Sequence, residues 1–129
     1  MSTGPIQTDA QAHLDQAIAE TLDAARTAAQ DKRHAKGFRT ARENLYDLID
    51  DGSFIEYGQL AVAAQRGRRD SASLRIDTAA DGVITGTATV NAELITHSKS
   101  DVAVAIYDYS VLAGTQGFFH HQKLDRIFD

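Results

Sequence analysis

A chain of 129 residues has room for one domain at most, and its 43% hydrophobic content is enough for a core. The net charge of −5 argues against a general binder of nucleic acid or anionic membrane, and the absence of cysteine excludes disulfides, thiol catalysis and thiolate metal sites. No apolar run approaches the ~18 residues of a membrane span, and the N-terminus lacks the basic-then-apolar plan of a signal peptide, so a soluble, cytoplasmic protein with no membrane partner is expected.

In chain order, Met1 to Thr8 reads as loose. Thr8 and Gln11 then make a capping pattern, T-x-x-Q. Leu14, Ala17, Ile18, Thr21, Leu22, Ala25, Ala28 and Ala29 recur at helical spacing, with Asp15, Glu20, Asp23, Arg26 and Gln30 opposite. This pattern predicts one amphipathic helix over 9–33 with a thin apolar stripe. Such a stripe suits either a surface helix or a subunit contact. Residues 34–60 read as a basic turn, a capped helix and a short strand. The basic cluster is Lys32, Arg33, His34, Lys36, Arg39 and Arg42. It fits a solvated turn, or a polyphosphate ligand gripped by guanidinium forks. Gly37 can stop the first helix. Thr40 with Glu43 forms a clearer capping box, which opens a helix through Asp50 with Leu45, Leu48 and Ile49 buried. Thr40 is thereby explained as a cap and not as a catalytic group. Gly52 ends that helix, and Ser53 to Leu60 reads as a short strand. Residues 61–80 are polar, carry RGRRD and show no hydrophobic period, which predicts a long exposed loop.

Residues 81–129 read as a β-meander, a glycine loop and the start of a helix. Asp81 to Val90 alternates as a strand, Asn91–Ala92 reverses it, Glu93 to Ser98 returns, and Val102 to Tyr107 is a buried strand. Asp108 to Gly117 is the loop, and a helix starts at Phe118. Gly114 and Gly117 permit close backbone approach there. A helix N-terminus can cradle an anion or a carbonyl oxygen, although an ordinary strand–loop–helix turn has the same pattern. Conventional catalytic groups are few. His120 and His121 are adjacent and point apart on a helix, and Ser110 has no readable base. Neither metal nor covalent catalysis is expected.

Three blocks resemble one family. YDYSVLAGTQGFFHHQKLDRIFD is similar to D-[FY]-[TS]-V-x-[AG]-G-[ST]-x-G-x-x-x-x-x-K of the carboxyltransferases of biotin-dependent acyl-CoA carboxylases. AKGFRTARENLYDLIDDGSFIEYG resembles their K-G-x-x-T-A-R-E-x-[IL]-x-x-L-x-D-x-G-S-F-x-E block, and DGVITGTATVN their D-G-V-[VI]-T-G-x-[GA]-x-[VI]-[ND] hairpin. The blocks run in the family's order from about Asp31 to Asp129. LAGTQG and AAQRGRRDSA look like the carboxyltransferase region of single-chain, long-chain acyl-CoA carboxylases.

The resemblance implies an α/β (α+β) fold, with N-terminal helices followed by the first β-β-α elements of a crotonase-like spiral, so that 1–129 is a single partial domain. It implies carboxyl transfer from carboxybiotin to the α-carbon of acyl-CoA, with two oxyanion holes doing the work of catalytic side chains. It assigns coenzyme A to Val111, Ala113, Gly114, Thr115, Gln116 and Gly117, and it favours Arg39 and Arg42 as phosphate ligands. Biotin would arrive on a carrier domain. Biotin carboxylase and biotin carrier domains are the implied partners, with a homo-oligomer and no nucleic acid. The family's oxyanion glycines and biotin pocket come later than Asp129, so this chain alone is expected to catalyse nothing. An open sheet edge predicts self-association. Two other readings stay open: a non-catalytic coenzyme A-binding or assembly module, and a piece of a CoA-dependent decarboxylase. Acyl chain length depends on a pocket that lies mostly outside these residues.

Overall fold

Alternating β-branched and small residues build the centre of the molecule, and the helices are arranged around it. The computed structural model describes residues 8–129; the expectation of a loose N-terminus falls almost wholly outside them. Strands β1 (Ile55–Tyr57), β2 (Val83–Thr89) and β3 (Asp101–Tyr107) form one antiparallel sheet in the order β1-β2-β3. Glu56 sits opposite Gly86 and Gly86 opposite Val104, so one residue type decides how closely the sheet can be covered. A Cβ at Gly86 would lie 2.1 Å from the Ile55 carbonyl oxygen and 2.8 Å from the Phe54 ring, so only glycine fits.

Helix α3 (Ala41–Leu48) covers one face of this sheet. Ala41, Leu45 and Ile49 pack on Ile84, Ala88 and Val104, with Phe54, Val90, Val102 and Ile106 around them. The capping box is present as read: the Thr40 hydroxyl accepts from Glu43 N, and Glu43 accepts from Thr40 N. The helix ends at Leu48, slightly before the expected Asp50. Asp50 instead closes the far end of the sheet. Its carboxylate accepts from Asn91 N, Ala92 N and the Thr89 hydroxyl.

Four expectations need correction. The single helix over 9–33 is broken into α1 (Asp9–Ala19), a 3-10 turn (Asp23–Ala25) and α2 (Thr27–Ala35). No glycine or proline stands at the break. It is made by Thr21 and Arg26, whose polar groups turn inward to tertiary partners: the Thr21 carbonyl takes Arg42 Nε at 3.2 Å, and Arg26 Nε reaches the Ile76 carbonyl at 2.7 Å. Gly37, at φ +77°, then ends α2 with a Schellman closure, Gly37 N to His34 O and Phe38 N to Arg33 O.

The 61–80 stretch is not one loop. It contains α4 (Ser71–Asp77), which starts on Asp70, whose carboxylate accepts from Ser73 N and Ser73 Oγ. Leu74 is buried beneath it. A single buried leucine in a polar heptapeptide leaves no period to read. The return strand over 93–98 is also absent. Those residues form a turn and the one-turn helix α5 (His97–Ser100), and the third strand of the meander is β1. Finally, β3 is less buried than its apolar run implies: only Val104 is fully enclosed, and Ala103, Ala105 and Tyr107 face outward. Helix α6 (Phe118–Phe128) starts where expected and packs against β2 and β3.

Candidate functional site

The glycine loop is held by two buried polar systems. The first lies under its far end. Ala80, Asp81 and Gly82 are three consecutive residues with positive φ (55°, 46° and 77°), all buried, just before β2. That conformation is costly for non-glycine residues and persists only where surroundings enforce it. Lys123 of α6 donates from Nζ to the carbonyls of Ala80, at 2.8 Å, and Val83. The Asp81 carboxylate accepts from His120 N at 2.9 Å, at the start of α6. His120 Nδ1 lies 3.1 Å from the Asp81 carbonyl. A carbonyl only accepts, so Nδ1 carries the proton and Nε2 is a bare acceptor, buried and unpartnered among the described residues. The Tyr107 ring closes edge-on over the imidazole with centroids 4.8 Å apart.

Burial moves both bases. It pushes the Lys123 ammonium down to about 8, against the opposing pull of Glu56 and Asp81. It also holds the His120 imidazole below its ordinary value, against its bond to Asp81. In the sequence Lys123 stands only as the last position of a motif, with no role attached. Its signal was weak: one lysine on the inner face of an amphipathic helix.

The second system lies at the near end. Asp108 N donates to the Gly82 carbonyl at 2.8 Å, and the Asp108 carboxylate accepts from Ser110 N and Ser110 Oγ on one oxygen and from Arg26 on the other. Beyond it, Leu112, Ala113 and Gly114 repeat the run of positive φ (47°, 53° and 79°). This second left-handed turn projects the loop toward α2. A groove of about 210 Å³ opens between them, lined by Ala29, Lys32, Arg33 and Lys36 on α2 and its cap and by Tyr109, Ser110 and Ala113 on the loop. The Arg33 guanidinium lies 4.8 Å from the Phe38 ring centroid and 5.5 Å from that of Tyr109. An adjoining cavity of about 350 Å³ shares Ala29 and Ser110 with it. A wider depression of about 490 Å³ lies on the sheet between Ile55, Thr87 and Ala103, with Asp101 as its one charged wall, and offers nothing to an anion.

The predicted site residues divide against this geometry. Ala113 lines the groove. Gly114 sits at its turn, where a Cβ would lie 3.3 Å from the Tyr109 ring. Thr115 is exposed beside it, and Gln116 donates to the Tyr107 hydroxyl at 3.1 Å. Val111 is buried and packs where a Cβ on Gly82 would meet it at 3.2 Å, so it belongs to the core. Gly117 caps α6 and must be small because a Cβ there would lie 2.8 Å from both Asp81 carboxylate oxygens. The α6 N-terminus is thus already occupied by Asp81 and is not a free anion cradle.

The two arginines turn elsewhere. Arg42 is buried, with both terminal nitrogens 2.9 Å from the Glu56 carboxylate and Nε on the Thr21 carbonyl. Each of its three nitrogens thus already donates to a protein oxygen. Arg39 is exposed and paired with Asp47 at 3.2 Å. The basic residues that do meet the loop are Lys32, Arg33 and Lys36. They stood in the basic cluster, but only the turn at Arg26 brings their helix to Tyr109.

No family model matches the chain. It is 34% identical over 117 residues to the "Biotin-dependent acetyl-/propionyl-coenzyme A carboxylase beta5 subunit" of Mycobacterium leprae (strain TN), covering 90% of this chain and 19% of that protein. It is 34% identical over 111 residues to the propionyl-CoA carboxylase beta chain of Saccharopolyspora erythraea, covering 85% of this chain and 18% of that one. Among solved structures, a single-chain, multi-domain long-chain acyl-CoA carboxylase matches at 49% identity and a TM-score of 0.91, over 96% of this chain and 12% of that chain. The chain therefore spans less than a fifth of the length of these relatives. The helices and three-stranded sheet are part of a crotonase-like carboxyltransferase fold. In sequence and in structure, the chain is a homologue of part of the carboxyltransferase β subunits of biotin-dependent acyl-CoA carboxylases.

Proposed function

We propose that this chain supplies part of the coenzyme A-binding half of a carboxyltransferase that moves a carboxyl group from carboxybiotin to the α-carbon of an acyl-CoA. The observation that carries the reading is the groove between α2 and the 109–113 loop. Lys32, Arg33 and Lys36 bring cationic donors to one side of it in a chain whose net charge is −5. Tyr109 offers an aromatic face on the other side. Cations opposite an aromatic ring suit a ligand that carries phosphates next to a planar base, as coenzyme A does. A volume of about 210 Å³ is below the usual range for a whole ligand, so the groove fits the phosphate-bearing end and leaves the thioester beyond it.

Biotin itself finds no fitted place among the described residues. The buried unpartnered polar atom here is an acceptor, His120 Nε2, enclosed against Tyr107, whereas an enolate or ureido oxygen needs donors. The part of these residues is to bind and orient the acyl-CoA. Biotin carboxylase and carrier partners, and a homo-oligomeric assembly, belong to the same reading.

Calorimetric titration of the chain with coenzyme A and with dephospho-coenzyme A tests it. Micromolar-range binding of coenzyme A is expected. Lys32→Gln with Lys36→Gln should weaken it about a hundredfold, because each of the two lost charge-assisted contacts contributes on the order of 1.5 kcal/mol. Equal affinity in the double variant would refute the groove as the phosphate site.

A further inference from the structure

We propose that Arg26 is a positioning residue that joins the two walls of the groove, so that affinity for a phosphate-bearing ligand depends on a side chain that does not line the lysine-bearing cavity. The inference rests on the groove being the ligand site described above. Arg26 occupies the joint between the 3-10 turn and α2. Its carbonyl accepts from Gln30 N at 3.0 Å and so starts the helix that carries Lys32, Arg33 and Lys36. Its guanidinium spends all three nitrogens on two other segments: Nε on the Ile76 carbonyl at 2.7 Å, one terminal nitrogen on Asp108 at 3.1 Å and the other on Ser110 Oγ at 3.2 Å. The side chains of Arg26 and Asp108 are only 5% and 13% exposed, so their pair is shielded from solvent screening.

Asp108 and Ser110 are the root of the loop that carries Tyr109 and Ala113. One residue therefore begins the basic wall through its backbone and grips the opposite wall through its side chain. Two contacts from one planar guanidinium, to Asp108 and to Ser110, fix both distance and angle, which a single contact does not. Lys32 and Lys36 meet no protein carboxylate among the described salt bridges, so their placement over the loop comes from the placement of α2.

The full chain, with no ligand, is compared with Arg26→Gln by hydrogen exchange read by mass spectrometry. Amides of 109–115 are expected to exchange about tenfold faster in the variant while those of β2 (Val83–Thr89) keep their protection. Unchanged exchange in the loop, or an equal rise in β2, overturns the proposal, because the residue would then be idle or merely stabilising. Titration with coenzyme A is the second arm. Affinity is expected to fall about tenfold in Arg26→Gln, and the effect of Lys36→Gln is expected to shrink in that background, since the two would no longer act independently. Full additivity with unchanged affinity also overturns the proposal. A wild-type chain that does not bind coenzyme A refutes the ligand reading, while the exchange arm still decides the strut. If Arg26→Gln melts below the assay temperature, Arg26→Lys keeps the positive charge near Asp108, loses the planar fork and carries the same comparison. About threefold faster loop exchange is then expected, and no change overturns the proposal.

Discussion

Lys123 shows how a single residue can be legible as a letter and invisible as a role. Its methylene stem passes under Gly58, where a Cβ would meet it at 3.0 Å, and its ammonium binds two carbonyls of the strained 80–83 turn. Burial lowers its pKa from 10.5 to about 8, against the pull of Glu56 and Asp81. The folded chain thus holds this proton less tightly than the unfolded chain does. Between pH 8 and 10.5 the unfolded state binds more protons at this site, so stability from Lys123 rises with pH across that window, by up to about 3 kcal/mol at 1.36 kcal/mol per unit. Urea melts at pH 8 and pH 10 check this. The wild type should gain on Lys123→Met between those values, and parallel curves would show that Lys123 does not titrate in the folded state.

At the scale of elements, the loop and α6 are tied together by Asp81 rather than by their own sequence. The carboxylate reaches His120 N from a left-handed turn, and Gly117 is small so that it can pass. Gly117 has φ −89°, so the backbone would accept alanine; the collision is with Asp81 alone. Gly117→Ala is therefore expected to cost about 1–2 kcal/mol by displacing the acceptor from the α6 N-terminus. Its cost should nearly vanish in an Asp81→Ala background. A thermal-melt double-mutant cycle measures this, and additive losses would show that the two residues act separately.

For the whole molecule, the decisive feature is that one sheet face is covered along its length, while the other is covered by α6 only around Val83 and Thr85. Helix α3 seals Ile84, Ala88 and Val104, while Ile55, Tyr57, Ala103, Ala105 and Tyr107 remain exposed on β1 and β3, both edge strands of the sheet. Phe118 and Phe128 on α6 are exposed as well. Apolar edges and faces of this kind pair readily. Light scattering is expected to give a species larger than 14.0 kDa at tens of micromolar, and Ala103→Lys with Ala105→Lys should shift it toward monomer. A monodisperse wild-type monomer would refute self-association.

The local sequence alone specified what local chemistry can decide. It marked the Thr40–Glu43 box, the stop at Gly37, the start of α6 at Phe118, the strands around Val83 and Val102, and the order of blocks that marks the carboxyltransferase homology. Each of these depends on neighbours within a few positions or on a motif read in register. Tertiary structure decided the rest. It broke the 9–33 helix at Thr21 and Arg26, turned Arg42 inward to Glu56, made α4 from a polar stretch with one buried leucine, and set Lys32, Arg33 and Lys36 beside the 109–113 loop. These outcomes rest on partners 14 to 84 positions away, such as Glu56 for Arg42 and Ser110 for Arg26. A buried charge goes where its partner is, and no spacing along the chain announces that partner.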